Sequence, residues 1–169
     1  MSHHVLDLAA VSVTCLTPSY TGTIAGTTVS EFLLKAVYEG SLCIFAGQSA
    51  HFLMPSCAFL MKANGELSIV SHGGINCAEH PIEIWTTSPE CKIKIGPQTI
   101  KNAVSYSNIN VGFNTEITME LHATGITYTA AGVGCPETGV KTNGTYTTGN
   151  TILTAEKTAG PMTSFSWSA

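Results

Sequence analysis

Six cysteines, Cys15, Cys43, Cys57, Cys77, Cys91 and Cys135, are the residues of this 169-residue chain whose type and number most constrain its chemistry. Thiols can ligate metal, attack substrates or pair with one another, and six of them are compatible with three disulfides in any of about 15 connectivities. Cys43 and Cys57 have the same spacing as Cys77 and Cys91, and Pro55 and Pro89 each stand two residues before a cysteine. That equality selects two local bridges, Cys43–Cys57 and Cys77–Cys91, and by elimination Cys15–Cys135. Zinc is the competing chemistry, because His72, Cys77, Glu79 and His80 are close in sequence. Structural zinc sites, however, favour short Cys-x-x-Cys or His-x3-His knuckles, and the chain has none. Bridges are therefore expected, and no metal.

Other reactive strings are weaker. Gly47-Gln48-Ser49-Ala50-His51 approximates a nucleophile elbow but has His51 where the second glycine belongs, and no α/β pattern surrounds it. Glu116 and Glu120, with Glu83 on a separate segment, could supply paired carboxylates for glycoside hydrolysis. Alternating glutamates among threonines equally describe a solvated strand face, with Lys92 and Lys94 facing Glu83 across a hairpin. No Gly-Lys-Ser/Thr loop is present to cradle a phosphate. The expectation is a protein without catalytic residues or cofactor. Trp85, Tyr106, Tyr146 and Trp167 are candidate binding aromatics for stacking on sugars, against the ordinary alternative of core packing. Asn143-Gly144-Thr145 matches a glycosylation sequon, while His3 and His4 read as tail residues.

Charge excludes one class of partner. The chain has no arginine, seven scattered lysines and a net charge of −4, so it lacks the basic face that nucleic acid requires. Only 11% of residues are charged and 44% are hydrophobic, which argues against disorder and leaves surface for apolar self-association. No apolar run approaches the ~20 residues of a membrane-spanning helix. The first residues, Met1 to Val5, do not read as a signal peptide; the cysteines favour export with a leader already removed.

The elements that would position these residues are strands. Val11, Val13 and Cys15, then Cys91, Ile93 and Ile95, then Ile117, Met119 and Leu121, alternate with polar neighbours, the period of a half-buried strand. Turn signals recur at Asn64-Gly65, Gly73-Gly74, Ser88-Pro89, Gly96-Pro97 and Asn143-Gly144. Asn64-Gly65 predicts a hairpin with a two-residue primed turn. The segment 29–39 reads equally as helix, with Phe32, Leu33, Leu34 and Val37 forming a stripe, or as strand. The fold class is all-β, an antiparallel β-sandwich or barrel-like domain over 1–169, stapled by disulfides. An internal repeat relates units 43–76 and 77–110, each expected to carry its own bridge. The apolar ending 160–169, with Phe165 and Trp167, is expected to pack as a last strand or against a neighbouring subunit.

Several segments carry a resemblance: Val13-Thr14-Cys15 with Tyr20-Thr21-Gly22-Thr23, Glu39 to Cys43, Cys91 to Gln98, Val104 to Asn108, and Cys135 followed by Thr142 to Thr147. Together they resemble a group of uncharacterised, secreted, cysteine-containing β-rich proteins of soil actinobacteria, over roughly Val11 to Glu156. The resemblance implies export, β structure and disulfides, and it brings no activity and no functional residues. The Phe32 to Tyr38 region departs from it in being more apolar.

The expected function is that of a secreted or surface-displayed, non-catalytic structural β domain, self-assembling as a homo-oligomer. A glycan-binding module using exposed aromatics is the first alternative, and a serine-type hydrolase around Ser49 and His51 the second.

Overall fold

The computed structural model describes residues 3–8, 11–16, 19–23, 28–37, 43–111, 114–149, 151–153 and 166–167. These form seventeen strands and, among the described residues, no helix. In chain order they are β1 (His3–Leu8), β2 (Val11–Leu16), β3 (Ser19–Thr23), β4 (Thr28–Val29), β5 (Glu31–Val37), β6 (Cys43–Phe45) and β7 (Gln48–Leu53). There follow β8 (Cys57–Lys62), β9 (Leu67–Ser71), β10 (Ile82–Thr87), β11 (Glu90–Ile95) and β12 (Gln98–Ile100). The last five are β13 (Val104–Val111), β14 (Asn114–Ala131), β15 (Gly139–Thr148), β16 (Thr151–Leu153) and β17 (Ser166–Trp167).

Eight strands close into an antiparallel barrel, in the order β14-β11-β10-β7-β6-β2-β1-β15 and back to β14. The alternation read from sequence decides what fills it. Val13 and Cys15 point inward, as do Cys91, Ile93 and Ile95, and all five are buried. Phe45, Ala50, Ile82, Ile84, Tyr128 and Tyr146 join them. An eight-stranded barrel has an interior just wide enough for side chains to fill, so the lumen is a core and not a channel.

The other half is a five-stranded sheet, β12-β9-β8-β5-β3, set against the ribbon that β13 and β16 make with the first part of β14. Phe32 of β5 meets Tyr106 of β13 edge-on at 5.8 Å, and Phe59 of β8 stacks on Tyr146 of the barrel at 6.3 Å. One hydrophobic cluster therefore runs through both halves. The chain passes from barrel to sheet repeatedly at one end, while at the other the barrel strands are joined by turns at Ala46-Gly47 and Ser88-Pro89 and by the loop 132–138. β14 belongs to both halves: its first part pairs with β13 and its second with β15.

Three sequence expectations change. The half-cystines pair as Cys15–Cys43, Cys57–Cys77 and Cys91–Cys135, with no free cysteine. Equal spacing was no guide, because strand register chooses the partner. Cys15 and Cys43 stand opposite each other on neighbouring strands, whereas Cys43 lies in the barrel and Cys57 in the second sheet. Sliding the chain by the repeat offset does lay β7 on β10, but β7 leads into the second sheet while β10 turns straight back into β11. The two units thus have different connections, and Cys57–Cys77 joins one to the other.

The Asn64-Gly65 hairpin forms between β8 and β9, but with a three-residue loop rather than a two-residue one. Lys62 N–H donates to Glu66 O at 3.0 Å and Gly65 N–H to Lys62 O at 3.0 Å. Gly65 has φ +80, and a Cβ there would lie 3.0 Å from Val104 O; glycine answers both the turn and the close approach.

Residues 31–37 are a strand, with Phe32, Leu34 and Ala36 buried and Val37 turned outward. Within 160–169 only Ser166 and Trp167 are described, paired in parallel with Thr28 and Val29; the remainder of that ending lies outside the described residues.

Candidate functional site

The outer wall of the barrel is where side chains with chemistry converge. On β10 the odd residues Glu83, Trp85 and Thr87 face outward because Ile82, Ile84 and Thr86 are committed to the core. The turn at Ser88-Pro89 sets the register to β11, placing Trp85 opposite Lys92, Glu83 opposite Lys94 and Thr87 opposite Glu90. On the other side β7 sets His51 opposite Trp85.

His51 and Trp85 stack with ring centroids 5.0 Å apart and planes inclined by 22°. Lys92 Nζ lies 2.9 Å from one Glu83 oxygen and Lys94 Nζ 3.4 Å from the other, as the sequence suggested. The hydrogen bond from Lys92, aided by the charges of both lysines, holds the Glu83 carboxyl below its usual range. On the β11 side of the indole a depression of about 300 Å³ is lined by Glu83, Trp85, Thr86, Thr87, Glu90 and Lys92.

The other singled-out residues do not converge. Tyr146 is buried and faces the barrel interior, where its hydroxyl lies 2.5 Å from His4 Nδ1; it cannot stack on a ligand from solvent, because inward alternation on β15 commits it to the core. His4 is likewise no tail residue. At 2% exposure, burial lowers its pKa to about 4. Tyr106 is half-buried against Phe32, and desolvation pushes its hydroxyl up from the ordinary range. The side chain of Trp167 lies outside the described residues. Of the three aromatics whose side chains are described, Trp85 is the one placed on the outer barrel wall.

Ser49 and His51 are both exposed on β7, but His51 is engaged with the Trp85 ring. Cys77 of the zinc-like string is bonded to Cys57, and among the described residues no three His, Cys, Asp or Glu side chains are grouped to hold a metal. Glu120 is exposed on β14; nothing is described of the Glu116 side chain.

Antiparallel register creates one grouping that sequence reading missed. Ser105 stands opposite Glu120, and His122 follows on the same face, beside a shallow depression of about 350 Å³. No hydrogen bond joins the three among the described residues, so they do not form a relay. The role of His51 beside Trp85 was missed for the same reason: the pairing of β7 with β10 leaves no local signal.

The barrel's outer wall bears Asp7, Glu83, Lys92, Lys94 and Lys141, which is not the continuous apolar band of a lipid-facing barrel. Among the described residues no helix is long and apolar enough to cross a membrane. No family model, curated protein or solved structure matches this chain.

Proposed function

We propose that the chain is a non-catalytic β domain, secreted or displayed at a cell surface, that serves as a rigid structural unit presenting its outer wall to partners. One observation carries this reading: all six cysteines are consumed in three bridges, each at a different seam. Cys15–Cys43 ties two barrel strands, Cys57–Cys77 ties the second sheet to the loop that returns to the barrel, and Cys91–Cys135 ties β11 to the loop 132–138. Such bonds persist in oxidising compartments and are rare in reducing ones. Each is worth about 3 to 4 kcal/mol by loop-closure entropy, a large part of the ~5 to 15 kcal/mol that holds an ordinary domain together.

Self-association extends the same reading. Ile44, Leu53, Val133 and Val140 expose large apolar side chains, which a surface this poor in charge does little to screen.

Thiol titration of denatured, unreduced protein recovered from an oxidising secretory route tests the bridges: no reactive thiol is expected, and free thiols would remove the basis for export. Light scattering at rising concentration tests assembly; a mass that stays at one chain would limit the domain to a monomeric role.

A further inference from the structure

We propose that the depression beside Trp85 is a saccharide site that takes the apolar face of one pyranose ring of a neutral glycan. The indole is prepared for it. His51 covers the β7 side of Trp85 at 5.0 Å, while the depression opens on the β11 side. A ring braced this way loses little further freedom on binding, which lowers the cost of association. The electron-rich indole face attracts the slightly positive C–H groups that a pyranose presents on one side, and the contact withdraws apolar surface from water.

The rest of the lining suits the hydroxyls of the same ring. Glu83 and Glu90 supply carboxylate acceptors, Lys92 an ammonium donor and Thr87 a hydroxyl. Glu83 is held by Lys92 and Lys94 at 2.9 and 3.4 Å, so its oxygens are fixed in place. Charge decides between ligand classes. The depression itself holds two carboxylates and one ammonium, and Lys94, outside it, completes the pairing of Glu83, so the wall here is close to neutral, which favours an uncharged polyol over a cation or a phosphate. About 300 Å³ is the small end of ligand pockets, enough for one sugar unit of a chain lying across an open wall.

The chain contains two tryptophans, so Trp167→Phe leaves Trp85 as the sole indole reporter. That variant is titrated with neutral hexasaccharides of β-1,4-linked glucose, xylose, mannose and N-acetylglucosamine, and separately with choline and inorganic phosphate. A saturable change in Trp85 emission with at least one hexasaccharide is expected. Calorimetry on Trp85→Ala should then show affinity reduced about tenfold or more, and Glu90→Gln should weaken it several-fold. Silence with all four saccharides, a response to choline or phosphate alone, or binding that survives Trp85→Ala overturns the site. Should Trp85→Ala fail to fold, the exposed Glu90→Gln decides: unchanged affinity overturns the site and weakened affinity supports it. None of these outcomes depends on the thiol titration.

Discussion

The side-chain amide of Gln98 pairs with both main-chain groups of Thr127, donating to its carbonyl at 2.9 Å and accepting from its N–H at 2.8 Å. Thr127 lies two residues before Thr129, where the pairing of β14 with β11 stops, so one side chain from the edge of the five-stranded sheet takes the place of the next ladder pair and hooks that edge to the barrel. Gln98→Ala should cost about 1 kcal/mol, lowering the melting temperature by roughly 2 to 4 °C. Gln98→Glu should cost about as much or more at neutral pH, because a carboxylate faces the Thr127 carbonyl, and should recover as the carboxyl is protonated near its ordinary pKa of about 4.3. Thermal melts of both variants at pH 7 and pH 4 check this; equal loss at both pH values for Gln98→Glu would contradict it.

His4 makes stability depend on pH. Its folded pKa is about 4 against the ordinary 6.5 of an exposed imidazole, so between those values the unfolded chain binds more protons than the folded one. Stability is therefore undiminished above about pH 6.5 and falls as pH drops toward 4. The two values bound the loss at roughly 3 kcal/mol. Urea titrations across pH 4 to 7 should show this slope, and the double variant His4→Phe with Tyr146→Phe should flatten it without stranding either buried polar atom.

Local pattern made part of this molecule readable in advance. Alternation identified the inward residues of β2, β11 and β14, and the turn at Ser88-Pro89 sufficed to place Glu83 near Lys92 and Lys94. Distant pairings were not readable. The Cys15–Cys43 bond needs β2 beside β6, and the His51–Trp85 stack needs β7 beside β10, which no spacing encodes. Chance regularity then misled: the equal intervals between cysteines suggested local loops. The turn at Ala46-Gly47, with φ 50 and 78, escaped notice because such turns are usually marked by Asn-Gly or Asp-Gly. Tyr146 had no signal for burial, since its neighbours on β15 are threonines and glycines.

Cys135 is partly exposed whereas its partner Cys91 and the other four half-cystines are buried. Access of an attacking thiolate governs exchange, so limited reduction should open Cys91–Cys135 first. Alkylation at increasing reductant followed by peptide mass mapping would show this order, and earlier labelling of Cys15 or Cys77 would refute it. Replacing Cys91 and Cys135 together by alanine should cost about 3 to 4 kcal/mol.

Gly132 is held at φ +122 with room for no side chain: a Cβ would lie 2.4 Å from Glu90 O. The loop after β14 closes on the β10–β11 turn here, with Gly134 N–H donating to Glu90 O at 2.8 Å. Gly132→Ala should therefore cost about 3 kcal/mol or more. Gly73→Ala, at φ +70 with nothing within 4 Å, should cost only about 1 kcal/mol. Comparable melting shifts for the two would contradict the close approach.

The continuity of β14 has a consequence for how the molecule can be divided. Strands of the barrel and of the sheet alternate along the chain, and residues 114–131 serve both without a break. No single cut yields two pieces that each keep a complete set of neighbours, so neither half can be transplanted, exchanged or lost on its own. Heat or shear that loosens one half must be felt in the other through that shared strand, and the whole is expected to melt as one cooperative body.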